Sequence, residues 1–246
     1  MHKLLKMSWL NVKNTAYSKE FLLGIIAAFA YSMLWICFVR PKLYGLMDYD
    51  FEFGRFLYVM ILYAAVSILR NDIKSNCIKT VFTGVFSRTE IMISKSIGLI
   101  IWGVIFAIMV EVNNILASLI LYKKIGINGF LAFNHLQLFI TYIIIAFSMG
   151  ALMLLIVSII FNESKFILFF IVILSLVNFV SSAITVLIVT HPELISKFST
   201  YMKTPFYNTI ALMQGCFSMQ SILINIIWAL IFCILSTFII NKREIN

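Results

Sequence analysis

Charge is scarce in this sequence: 12% of its 246 residues are Asp, Glu, Lys or Arg, about half the share found in a soluble globular domain. That shortage excludes a conventional soluble enzyme and a disordered regulator, both of which depend on charge for solvation. Proline is rare as well. Pro41, Pro192 and Pro205 are the only three, and all fall at or beyond the ends of apolar runs, so no run is broken by proline. No G-x-x-x-x-G-K-[ST] phosphate loop occurs, which excludes a Walker-type nucleotide site in this polypeptide. The four cysteines, Cys37, Cys77, Cys216 and Cys233, are scattered without a C-x-x-C pair. Neither a zinc site nor a disulfide framework is indicated, and they read as small apolar fillers.

Hydrophobic residues make up 62% of the chain and the mean hydropathy is +1.03, more apolar side chain than one soluble core hides. A helix needs about 20 mostly apolar residues to cross a hydrocarbon core of about 30 Å. Six segments meet that length, near 21–39, 53–69, 97–121, 136–161, 166–189 and 222–240. The expected fold is an all-α integral membrane protein of six transmembrane helices, forming a single domain over 1–246. Lys and Arg outnumber Asp and Glu by 19 to 10, and the bases lie between apolar runs, so they report topology rather than nucleic-acid binding. With the N-terminus inside, the inner segments gather Lys3, Lys6, Lys13, Lys19, Arg70, Lys74, Lys79, Arg88, Lys95, Lys165, Lys242 and Arg243. Both termini are therefore expected in the cytoplasm. The first outer loop is expected to contain Asp48, Asp50 and Glu52, which nearly cancel its positive charge.

Three segments outside the spans carry further pattern. From Met1 to Tyr17, Leu5, Trp9, Val12 and Ala16 recur at helical spacing, which predicts an amphipathic helix at the inner interface with Trp9 near the headgroups and lysines toward anionic lipid. From Arg70 to Ser96, Ile78, Val81, Phe82, Val85 and Phe86 fall at i, i+3, i+4, i+7 and i+8, a helical apolar stripe. Ser87-Arg88-Thr89-Glu90 then reads as a capping box that starts a new helix. This short helix either rests on the bilayer or docks a soluble partner. From His191 to Ser221, residues such as Leu194, Phe198, Met202, Phe206 and Ile210 are too apolar for a solvated loop. Short re-entrant-type helices dipping into the outer leaflet would satisfy the backbone there.

Together these features resemble the permease subunits of type-2 ATP-binding-cassette exporters. The local match is Phe86-Ser87-Arg88-Thr89-Glu90-Ile91-Met92-Ile93-Ser94-Lys95, similar to that family's Ser-Arg followed seven residues later by Lys. The family often has Pro shortly before Ser-Arg, where this chain has Gly84-Val85-Phe86. The resemblance implies a dimer of permeases, this copy with a second or related one, above two cytoplasmic ATPase subunits that bind the ATP and magnesium. It also implies that the segment between spans two and three is the coupling helix, with Ile78, Val81, Phe82, Val85, Phe86 and Arg88 meeting the ATPase. Small single-domain bacterial permeases of this kind resemble those that export, or give immunity to, membrane-active peptides. The implied setting is the bacterial plasma membrane and the implied cargo an amphipathic or hydrophobic peptide.

Within the spans, no group of residues suggests catalysis, a resident cofactor or a metal. Glu111 is an acid deep in span three, with Asn113 and Asn114 beside it. A charge there is costly and by default functional. About 20 Å beyond Ile97 by helical rise, it lies toward the outer face, to line an exit or to hydrogen-bond between helices. His2, His135 and His191 fall in or near loops, far apart in sequence. In span five, Asn178, Ser181, Ser182 and Thr185 recur at i, i+3, i+4 and i+7. Such a face packs helices, contacts a second subunit or lines a pathway. An ion-coupled carrier or channel and a non-transporting scaffold are the rival readings. The carrier expects helices interrupted by Gly or Pro in matching halves, and the sequence offers neither interruptions nor a repeat.

Overall fold

The computed structural model describes residues 2–74, 86–160 and 163–243, and every regular element among them is helical. In chain order the elements are α1 (His2–Ala16), α2 (Lys19–Leu34), α3 (Leu46–Lys74), α4 (Arg88–Ile120), α5 (Gly126–Leu131) and α6 (His135–Ile160). They are followed by α7 (Glu163–Ser175), α8 (Ser182–Thr190), α9 (Ile195–Phe198), α10 (Pro205–Met213) and α11 (Met219–Lys242). Among the described residues, six helices are long and apolar enough to cross a membrane: Lys19–Val39, Leu46–Arg70, Arg88–Ile120, His135–Ile160, Ile167–Thr190 and Met219–Lys242. The chain is a multi-pass membrane protein. Its spans alternate between a terminal end, where α1, the start of α4 and the end of α11 lie, and a far end, where the 40–45, 121–134 and 191–218 connections lie.

Burial sorts the six spans. Over their most apolar stretches, spans two, three and four are 78%, 56% and 67% buried inside the chain, against 17%, 22% and 28% for one, five and six. The core is therefore α3, α4 and α6, packed on one another with α11 against α6. Gly103 sets one of these crossings: a Cβ there would stand 2.6 Å from the Ile143 Cα, so α4 and α6 meet backbone to backbone. Close approach through a small residue is what holds helices together where water supplies no hydrophobic drive.

Three expectations need correction. Span two begins at Leu46 rather than near 53, so Asp48, Asp50 and Glu52 lie in a helix and not in a loop. Two of the acids have partners that make this tolerable: Asp48 accepts from the Gly45 N–H at 2.8 Å, beside the first turn, where a helix favours negative charge. Glu52 accepts from the Tyr31 hydroxyl at 3.1 Å and lies 3.6 Å from Arg55, and Asp50 faces Tyr142. Span three likewise begins at Arg88 rather than 97, which takes Lys95 out of the cytoplasmic loop and into the helix. The α1 helix forms as expected, but its stripe is split: Val12 is buried with Ser8 and Thr15 while Leu5 and Trp9 stay about half exposed. The reason is that Ser8 donates to the Ser94 carbonyl at 2.7 Å, turning that face onto α4.

Span five runs without a break from Ile167 to Thr190 and holds neither glycine nor proline, as expected, but it is not α-helical throughout. Between α7 and α8 runs a π-helical turn, Leu176–Ser181, and a second, Trp35–Val39, closes span one. After the latter, Arg40 takes a left-handed conformation with φ 41° and its Nε donates to the Ile36 carbonyl at 3.0 Å. Short helices do fill 191–218, and α10 is the buried one: Asn208, Thr209, Ile210, Leu212 and Met213 are all enclosed.

Candidate functional site

At the terminal end the residues around Ser87 form a junction. The Ser87 hydroxyl accepts from the Glu90 N–H at 3.2 Å, and Glu90 Oε2 accepts from the Ser87 N–H at 2.8 Å, so the capping box is complete. It satisfies N–H groups that an open helix start leaves without partners. Arg88, one residue on, donates to the carbonyls of Ile240, Asn241 and Arg243 at 2.9, 3.2 and 2.6 Å. Ile240 and Asn241 lie in the last turn of α11 and Arg243 caps it, where orphan acceptors and the negative helix end both favour a cation. Arg243 in turn donates to Ser158 and Ile159 at the end of α6, at 2.9 and 3.2 Å.

Lys95, the other end of the Ser-Arg…Lys motif, is 1% exposed. Its ammonium donates to the Ile68 carbonyl at 2.8 Å and to Asp72 at 2.5 Å, both on α3. A buried ammonium is sustained only by such oxygens. The motif thus ties the start of α4 to the ends of α3 and α11, and through Arg243 to α6. Phe86 is half-buried against the main core. Ile78, Val81, Phe82 and Val85 lie outside the described residues.

Toward the far end a second cluster gathers. Glu111 on α4 meets His135, the first residue of α6, with Nδ1 at 2.8 and 3.0 Å from its two oxygens. The other ring nitrogen, Nε2, faces the Phe130 carbonyl at 3.0 Å. Both ring nitrogens are thereby engaged, one by a carboxylate and the other by a backbone carbonyl. Asn113 accepts from the Ser32 hydroxyl at 2.6 Å, linking α4 to α2. The Asn114 carboxamide is wholly buried, and neither its nitrogen nor its oxygen has a partner among the described residues.

Asp50, 3% exposed, is within electrostatic reach of Glu111. Its hydrogen-bond partner is the Tyr142 hydroxyl, which donates over a long 3.5 Å. Gly54, one turn along α3, makes room for that hydroxyl; any Cβ at this position would collide with it. Asp50 and Tyr142 line a cavity of about 210 Å³ with Met47, Phe133, Asn134, Gln137, Leu138, Thr141, Leu212, Met213, Gln214 and Gly215.

In span five, Asn178 donates to the Arg55 carbonyl at 3.4 Å and Ser181 lies 2.8 Å from the Tyr201 hydroxyl. Both are buried inside the chain, against α3 and the segment before α10. Ser182 and Thr185 are half-buried, and Thr185 donates back to the Ser181 carbonyl at 2.9 Å. Asn178 and Ser181 lie within the π-turn, and Ser182 and Thr185 follow it in α8. Beyond the spans, burial raises the Tyr207 phenol above its ordinary range, with Cys216 a smaller contributor, so it stays a neutral hydroxyl.

Sequence reasoning missed Asp50, Asp72, Lys95, His135 and Tyr142 as site residues. For Asp50 a signal existed: Leu46, Tyr49, Asp50, Phe53 and Leu57 follow i, i+3, i+4, i+7 and i+11, which puts the acid on the buried stripe. For Glu111 and His135, 24 residues apart, only the return of the chain through α5 reveals the pairing. No family model and no curated protein matches this chain.

Proposed function

We propose that the chain is the membrane-spanning permease subunit of an ATP-driven exporter in a bacterial plasma membrane, with both termini cytoplasmic. A separate cytoplasmic ATPase, holding the ATP and magnesium, docks on the Ile78–Phe86 stripe and Arg88, and a second permease copy or a related subunit completes the pathway. The cargo is an amphipathic or hydrophobic peptide moved outward. The observation that carries this reading is the junction at the terminal end. A force applied just before Ser87 is delivered to α4 through the capping box, to α11 through Arg88 and to α3 through Lys95. Docking there acts on three spans at once, which is what turning ATP binding into a switch between inward-closed and outward-open arrangements needs. Amphipathic α1, bound to α4 through Ser8, would hold this end at the inner interface, and the short helices of 191–218 would cover the exit.

The test is purification in mild detergent from the native membrane, followed by mass spectrometry of co-purifying soluble proteins. A stoichiometric ATPase present with wild type and absent with Phe82→Ala and Phe86→Ala supports the reading. A partnerless protein overturns it. One set of observations favours the ion-coupled carrier: span five contains a π-helical turn, and Glu111 on α4 meets His135 at 2.8 Å near the far end. That reading expects gradient-driven flux without an ATPase, lost in Glu111→Gln.

A further inference from the structure

We propose that the far-end cavity between α3, α6 and α10 is a binding site for a primary ammonium group carried on an apolar chain, with Asp50 as its counter-charge. This does not rest on the exporter reading and holds whatever drives the spans. Asp50 is a buried carboxylate whose partner among the described residues is one phenolic hydroxyl at 3.5 Å. No cation lies within ion-pair distance of it among the described residues. Glu111, the acid within its electrostatic reach, is already engaged by His135. An isolated carboxylate out of water is expensive and either holds a proton or takes a counter-charge; the open volume of about 210 Å³ beside Asp50 gives room for a cation from outside the chain to supply that charge.

The lining selects the kind of cation. A metal ion would require several oxygen ligands around one point, and no group of three or more metal-binding side chains exists among the described residues. Instead Met47, Leu138 and Met213 form apolar walls around one carboxylate, with Gln137 and Thr141 as neutral polar groups. An ammonium head on Asp50 with a hydrocarbon stem along the methionines matches that layout, since methionine adapts to irregular apolar shapes. The same chemistry is offered by an amine-bearing cargo and by the ethanolamine headgroup of a lipid.

The probe is hexylammonium, with hexanol as its uncharged counterpart, read as a shift in Tm of the full-length protein in detergent. The expected result is a concentration-dependent rise with hexylammonium and none with hexanol, with an apparent affinity weakened about 30-fold or more in Asp50→Asn. Tyr142→Phe keeps the carboxylate and retains binding. Equal responses to amine and alcohol in wild type, the same rise with sodium chloride alone, or unchanged affinity in Asp50→Asn overturn the proposal. The wild-type comparison decides even where a variant does not fold. In nanodiscs, weaker hexylammonium binding with phosphatidylethanolamine than with phosphatidylcholine, both without net charge, identifies the lipid headgroup as occupant, and equal binding identifies a soluble amine.

Discussion

Lys95 shows how one side chain can bear on several helices. Its ammonium is enclosed between the Ile68 carbonyl and the part-exposed Asp72, so removing it breaks a buried ion pair and takes a donor from that carbonyl. Lys95→Met is expected to lower stability by about 3 kcal/mol, the low end for breaking a buried pair because Asp72 keeps some access to solvent. Thermal unfolding in detergent checks this, and Asp72→Asn added to Lys95→Met should recover part of the loss. His135→Ala strips Glu111 of its partner and is expected to cost about 1–3 kcal/mol by the same measurement. Glu111 was legible from sequence as a charge in an apolar run; Asp50 was not, because neighbours Asp48 and Glu52 made its surroundings look like a loop. Which acid is exposed depends on where the helix starts, and here partners distant in sequence, Tyr31 and Tyr142, allow it to start early.

At the scale of elements, local signals proved the more readable. The capping box follows from four adjacent residues, because its hydrogen bonds run between positions three apart. Ser87→Ala is expected to weaken the start of α4 by about 1 kcal/mol. It should appear as faster amide exchange over Arg88–Ile91 than elsewhere in the helix. The α4–α6 crossing is a different matter, since nothing in the sequence around Gly103 reveals that the Ile143 backbone lies against it. Gly103→Ala must push two backbones apart and is expected to cost about 1–3 kcal/mol in thermal unfolding. The π-turn in span five was equally hidden. It contains neither glycine nor proline, and its polar residues fit α-helical spacing on paper; the contacts of Asn178 with α3 and of Ser181 with Tyr201 accompany the extra residue in the turn.

For the whole molecule, the uneven burial of the six spans leaves one, five and six with broad apolar faces, suited to lipid or to a second subunit. Orientation rests on the lysine and arginine bias, and Cys216 offers a direct check because it is exposed at the far end. In a variant with Cys37→Ser, Cys77→Ser and Cys233→Ser, a membrane-impermeant maleimide is expected to label Cys216 in intact cells. Labelling only after lysis would reverse the topology.

The number and approximate place of the spans were determined by sequence alone, because crossing a hydrocarbon core demands length and apolarity, and both can be counted along the chain. The helix start at Ser87 was determined there too, being a matter of neighbours. Tertiary structure alone decided which polar groups meet. Arg88 reaches the end of α11 across 152 positions and Lys95 reaches α3 across 27, and Asp50 comes to face an open cavity beside Tyr142 on α6. Pairings of that kind depend on how the spans are ordered around one another, and an apolar run carries no record of which neighbour it faces.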